Sequence, residues 1–229
     1  MNIKKFIKQF LKRNNPLTTV RCRKMQENLQ NHTPSFLCPN CIGGILFHDL
    51  GQKFMSPTVN LSINQKEFVD FILHYDEYIN GTFEFFQHES LSCPCAYLSY
   101  AEGKKITVIF THYKTEEYAV KKWNDRAKRI NKDNLFIFLE ERDGLNENDI
   151  KSLAGIHAKG LVVFTAHPYE NIPYCVYIPK YAAEGEVGNI LKKSYINGAR
   201  EYEKYFDFVK WFNEADGNDF DVSDYILEK

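Results

Sequence analysis

A thiol, two imidazoles and a cluster of carboxylates close short apolar runs in this chain. These side chains exchange protons near neutrality and attack acyl groups. Cys41 follows Pro39-Asn40 and precedes Ile42-Gly43-Gly44. A helix starting there has unpaired N–H groups and a dipole that favour an anion, lower a thiol pKa and can hold a phosphate or oxyanion. The expectation is a nucleophile at Cys41, with Asn40, Gly43 and Gly44 around its ligand. Each glycine costs a helix about 1 kcal/mol relative to Ala, offset either by close approach of a ligand or by tight helix packing. His112 follows the apolar run 106–111, and His167 follows 161–166; imidazole suits a general base. Glu140, Glu141, Arg142 and Asp143 follow the run 135–139, and Asp143 is expected to supply the carboxylate.

Other polar residues are candidates for binding. His48 stands seven residues beyond Cys41, about 10 Å along a helix: too far to touch the thiol, close enough to meet a longer substrate. Lys114 follows His112, and Arg126 and Arg129 lie one helical turn apart, where guanidinium groups can fork onto a phosphate. Cys38-Pro39-Asn40-Cys41 has the spacing of a zinc half-site, but Cys93-Pro94-Cys95 is an unusual second half. No metal site is assigned.

Several runs must be elements if these residues are to meet. Residues 35–38, 82–86, 96–100, 106–111, 135–139, 161–165 and 176–178 read as strands. The last three of these and the first are apolar without alternation, as in a sheet covered on both faces. Helices are expected from about 41 to 50, 64 to 81, 115 to 130, 148 to 153 and 199 to 212, the second opened by the capping-box pattern Asn64-Gln65-Lys66-Glu67. The fold class is α/β: a mixed, mainly parallel sheet with helices on both faces and an antiparallel portion between 82 and 111. Ligands of open α/β sheets gather beyond the carboxyl ends of the strands, so Cys41, His112, Asp143 and His167 converge on one rim if their strands are parallel.

The chain has 229 residues, 44% hydrophobic and 15% aromatic, with a formal net charge of −1. That composition excludes intrinsic disorder and a general nucleic-acid binder. Residues 1–32 form a basic extension, 33–215 a single α/β domain and 216–229 an acidic tail, with six acidic residues from Glu214 onward against Lys229. Ile3, Phe6, Ile7, Phe10 and Leu11 make one apolar stripe beside Lys4, Lys5, Lys8, Lys12 and Arg13, a pattern that suits either docking on the domain or an anionic membrane surface. Those lysines interrupt the apolar core of about 7–15 residues that a secretory signal needs. A cytoplasmic chain with mostly reduced thiols is therefore expected, peripheral to the membrane if residues 1–13 bind it.

The run Asn40-Cys41-Ile42-Gly43-Gly44, Phe47-His48-Asp49-Leu50-Gly51, Phe54 and Ser56-Pro57-Thr58-Val59-Asn60-Leu61 resembles the opening signature of a bacterial family, the domain of unknown function nineteen-nineteen, often labelled exopolysaccharide biosynthesis protein. His112-Tyr113-Lys114, Trp123, Arg126, Arg129-Ile130-Asn131 and Asp133-Asn134-Leu135 resemble its second signature. The resemblance covers roughly residues 36–215. It implies an α/β fold and a part in exopolysaccharide or surface-glycan assembly. Joined to the residues above, this gives the expectation of a transferase moving an acyl or glycosyl group from a phosphate-bearing donor (coenzyme A or a nucleotide sugar) to a glycan or lipid-linked glycan precursor. A non-catalytic glycan- or nucleotide-sugar-binding module of a membrane-associated synthesis complex is the alternative.

Overall fold

The computed structural model describes residues 16–227 except 102 and 195. Two separate sheets organise it. The first is parallel, in the order β1 (Ser35–Leu37), β5 (Leu135–Glu140), β6 (Gly160–Thr165) and β7 (Cys175–Tyr177). The second is antiparallel, β2 (Thr82–Phe86), β3 (Cys95–Ala101) and β4 (Lys104–Ile109). It lies in the long connection between β1 and β5, together with helices α2 (Ile42–Asp49), α3 (Gln65–Leu73), α4 (Tyr75–Ile79) and α5 (Glu116–Ala127). Helices α1 (Pro16–Asn28), α6 (Glu147–Lys151) and α7 (Phe208–Glu214) complete the set among the described residues.

β5 and β6 are buried along their whole length, which explains their unbroken apolar sequence. Their successive side chains point to opposite faces. Phe36, Phe136 and Phe138 meet Phe208, Trp211 and Phe212 of α7 on one face, mostly edge to face. Phe47 of α2 stacks on Phe36 from the same side. On the other face Leu37, Leu135 and Ile137 look across a cleft toward Ile72 and Leu73 of α3. The parallel sheet is therefore covered on both faces.

β4 pairs with β3 and is not a strand of the parallel sheet, so the condition that would have placed His112 on the rim fails for that strand. The segment around Ser62 makes up for it. Ser62 and Ile109 exchange backbone hydrogen bonds of 2.8 and 2.9 Å, and the next N–H, of Ile63, donates to the carbonyl of Pro39 at 2.9 Å. One extended stretch thus ties the end of β4 to the end of β1.

Local chemistry explains the other departures. The helix expected over 64–81 breaks at His74, whose φ is −121°. Asn64 caps α3, accepting from the N–H groups of Lys66 and Glu67, but the Glu67 carboxylate accepts from Thr107 of β4 and does not close the box. The last helix is shorter than expected. Residues 193 and 200 pair as a bridge, 201–204 form a single 3-10 turn, and Asp207 starts α7 by accepting from the N–H of Lys210.

The expected acidic tail packs on the domain over its described part, residues 216–227. Phe220, Val222 and Tyr225 are buried, and Phe206 bridges to Ile226. The N-terminal apolar stripe, residues 3–11, lies outside the described residues. Among those described, no helix is long and apolar enough to cross a membrane.

Candidate functional site

The end of β1 is pinned before it turns. The N–H of Cys38 donates to the Thr58 hydroxyl, and the Asn40 side-chain oxygen accepts from the N–H of Ile42 at 2.9 Å. Cys41 becomes the N-cap of α2 and its carbonyl receives the Ile45 N–H. β4 ends in the turn 110–113, closed by Tyr113 N–H to Phe110 carbonyl. The buried Tyr113 donates its hydroxyl to the carbonyl of Val59, and the preceding residue, His112, stays exposed. Sγ of Cys41 then lies 3.4 Å from Nε2 of His112, with the thiol half-buried.

A buried carboxyl stands behind this pair. Glu140 accepts from the side-chain amides of Asn40 and Gln65, and its N–H donates to Gln65 Oε1 at 3.0 Å. Burial pushes its pKa up to about 8, against the weaker lowering influences of Arg142 and Asn40. It is a carboxyl that carries its proton near neutrality. Sequence reasoning chose Asp143 for the carboxylate role. Asp143 is exposed on the following turn at φ 56°, with Arg142 Nε 3.7 Å away. The sequence signal for Glu140 is its place directly after five apolar residues of β5; what it lacks is any sign that Asn40 and Gln65 would enclose it.

A second cluster shares the rim. Glu141, buried, accepts from the N–H groups of Ala166 and His167, from His167 Nδ1 at 2.8 Å and from the Tyr169 hydroxyl at 2.5 Å. With Nδ1–H donated to a carboxylate, Nε2 of the half-exposed His167 ring is the acceptor nitrogen. Glu141 and Tyr169 are further residues that sequence reasoning did not assign to the site.

Several expectations are overturned. Gly43 and Gly44 are not a cradle for substrate. A Cβ at Gly43 would stand 2.6 Å from Cys38 Sγ, and one at Gly44 2.2 Å from Asn60 Oδ1, so both glycines allow α2 to pack on the protein itself. Two first-turn donors are also engaged: the Ile42 N–H with Asn40, the Gly43 N–H with the Cys38 sulfur. The Cys41 thiol is pushed up by burial, not down by the helix. Arg126 is a buried structural residue, donating to the Val59 carbonyl at 2.9 Å and the Tyr113 hydroxyl at 2.5 Å with its guanidinium over Phe54. Arg129 reaches the carbonyl of Phe54 at 3.3 Å. His48 is exposed at the far end of α2 beside Asp49. Lys114 is exposed and lines a separate cavity of about 620 Å³ with His88 and Cys93. The Cys38 thiol is enclosed and pushed up to about 12 by burial. Among the described residues no three His, Cys, Asp or Glu side chains converge as metal ligands would.

Fold and site define an α/β protein with a thiol–imidazole pair on the carboxyl rim of its parallel sheet. The chain belongs to the family described as Domain of unknown function (DUF1919), which matches residues 13–213. An uncharacterized protein of Haemophilus influenzae is 36% identical over 195 residues, covering 84% of this chain and 90% of its own.

Proposed function

We propose that this chain is a transferase of exopolysaccharide or surface-glycan assembly that carries an acyl group on Cys41. The observation that carries the reading is the 3.4 Å approach of Cys41 Sγ to His112 Nε2. A nucleophile within hydrogen-bond reach of a base is the arrangement covalent acyl transfer needs, and sulfur permits a slightly longer contact than oxygen. Of the acyl and glycosyl alternatives, a thiol favours the acyl one, because thioester exchange is the native chemistry of a thiolate. The glycan acceptor is implied by the two sequence signatures.

The steps balance with the chain's own groups. His112 removes the Cys41 proton as the thiolate adds to the carbonyl of an acyl-coenzyme A. The coenzyme A sulfur leaves and takes the proton from the imidazolium, which leaves a thioester on Cys41. An acceptor hydroxyl then gives its proton to His112 and attacks that thioester. The Cys41 thiolate leaves and is protonated in turn. Burial of the thiol keeps it neutral until the imidazole accepts its proton.

Incubation with acetyl- and palmitoyl-coenzyme A followed by intact mass measurement tests this. A hydroxylamine-labile adduct on Cys41, absent in Cys41→Ser, is expected; full transfer by Cys41→Ser contradicts it. The second reading, a glycan- or nucleotide-sugar-binding module, is favoured by the Ile42 and Gly43 N–H groups of α2, which are already engaged and do not serve an oxyanion. Saturable binding of a nucleotide sugar with no adduct on Cys41 selects it.

A further inference from the structure

Two cysteines outside the site described above touch each other. Cys93 and Cys95 flank Pro94, and Cys95 opens β3. The proline ring fixes its own φ near about −65°, so the spacer between the two thiols is stiff. The Cys95 thiol donates to the Cys93 carbonyl at 3.5 Å. The two sulfurs are also within hydrogen-bond reach of each other, and the Cys95 thiol is pushed up first by burial and then by that neighbour. Both thiols are free. Among the described residues no third ligand joins them as a metal site would need.

The two thiols differ in access. Cys93 is half-buried and lines the cavity of about 620 Å³ that also holds His88 and Lys114, whereas Cys95 is buried and is not part of its wall. The lining carries both signs of charge, Lys114 against Glu116 and Glu117. What the cavity offers is therefore room beside one sulfur, with a second sulfur in contact behind it. An accessible thiol backed by an enclosed one is the arrangement of attacking and resolving cysteines in thiol–disulfide exchange.

We propose that Cys93 and Cys95 form a redox-active dithiol that reduces a low-molecular-weight disulfide entering this cavity. The Cys93 sulfur gives up its proton and bonds to one sulfur of that disulfide; the other sulfur leaves and takes up a proton. Cys95 then loses its proton and bonds to the Cys93 sulfur, and the second small thiol leaves, protonated in the same way. Two electrons pass to the small disulfide, and the chain is left with one bond between Cys93 and Cys95. That bond also reaches the Cys41 pair, and its meaning for catalysis rests on the function proposed above. The Pro94 carbonyl accepts the N–H of Phe110 at 2.9 Å, and Phe110 opens the turn 110–113 that carries His112. Drawing the two sulfurs together across Pro94 shifts this carbonyl and, through the turn, the imidazole.

Equilibration of the full chain with oxidised glutathione, an acid quench and peptide mass spectrometry test the dithiol. The peptide carrying both cysteines should lose two hydrogens and regain them with dithiothreitol. Cys95→Ala should stop at one glutathione on Cys93, and Cys93→Ser should leave Cys95 a free thiol. Cys93→Ser changes a half-buried side chain, so it answers for the case in which Cys95→Ala does not fold. A peptide unchanged by excess oxidised glutathione, glutathione that stays on Cys93 in the wild type, or Cys95 modified in Cys93→Ser overturns the proposal. The link to His112 is read separately, in Cys41→Ser, where no glutathione can sit on that thiol. The His112 ring-proton resonance, assigned by its loss in His112→Gln, should move on oxidation and stay in place once Cys93→Ser is added. A resonance that does not move overturns the link; acyl transfer itself is judged by the adduct on Cys41.

Discussion

Nε2 of His112 lies 3.4 Å from Sγ of Cys41 although 71 positions separate them and they leave different sheets. The contact exists because residues 59–63 act as a bracket. Ser62 holds the end of β4, Ile63 the end of β1, and Val59 receives both Tyr113 and Arg126. Three separate stretches of chain must be in place before the thiol meets its base.

Arg126 is the keystone of that bracket, so its replacement should act through structure. Arg126→Lys removes the forked donor and leaves the Val59 carbonyl and the Tyr113 hydroxyl short of partners, a loss of about 1–3 kcal/mol for buried polar groups. The urea midpoint should fall accordingly. A midpoint equal to that of the wild type, with a selective loss of phosphate-donor binding, would restore Arg126 as a ligand residue.

Gly43 and Gly44 should respond to substitution as packing residues. Alanine favours a helix by about 1 kcal/mol over glycine, but overpacking a full core typically costs 1–3 kcal/mol, and the close approach to Cys38 Sγ makes the second effect win. Gly43→Ala should therefore destabilise. Removing the sulfur as well, in Gly43→Ala with Cys38→Ala, should recover part of the loss, so that thermal denaturation of the two singles and the double gives a non-additive cycle. Additive effects would mean that the two positions do not press on each other.

Glu140 imposes a definite pH dependence on stability. Its folded pKa of about 8 stands above the ordinary carboxyl value. Between these limits the unfolded chain has lost the proton that the native state keeps, so stability falls as pH rises, by up to about 1.4 kcal/mol per pH unit for one group. The carboxyl's stabilising contribution is full below its unfolded pKa and gone above about pH 8. Glu140→Gln keeps an acceptor for Asn40 and Gln65 and carries no charge. It should melt higher than wild type at pH 8 and close to it at pH 4.5. Parallel melting curves across that range would mean that the carboxyl ionises in the folded protein as it does in water.

The strands of the parallel sheet were legible because their signal is local: five consecutive apolar residues before Glu140, and four before Thr165, describe burial on both faces without help from elsewhere. Cys41 was legible for the same reason, as the polar end of such a run. The pairing of His112 with it was reached by a wrong intermediate, a shared sheet, because the bridge between Ser62 and Ile109 leaves no mark in either segment. The double glycine announced close approach but not what approaches; Cys38 and Asn60 do, where a ligand was expected. Arg126 reads as a phosphate ligand because a buried guanidinium differs from a free one only in partners that are distant in sequence. Charge likewise misreads the segment after 215 as a tail; among its described residues, 216–227, Phe220, Val222 and Tyr225 are buried and decide where it lies.

Alkylation of Cys41 by iodoacetamide, followed by peptide mass spectrometry across pH in wild type and His112→Gln, needs no knowledge of the substrate. The thiolate is the reactive form, and a base in contact with the thiol raises its share. Cys41 should react at least about fivefold more slowly at pH 7 in His112→Gln, with its profile displaced to higher pH, while Cys93 reacts unchanged. Equal rates and superimposable profiles for Cys41 in the two proteins would show that the imidazole does not act on the thiol, and would contradict the proposed role of the pair.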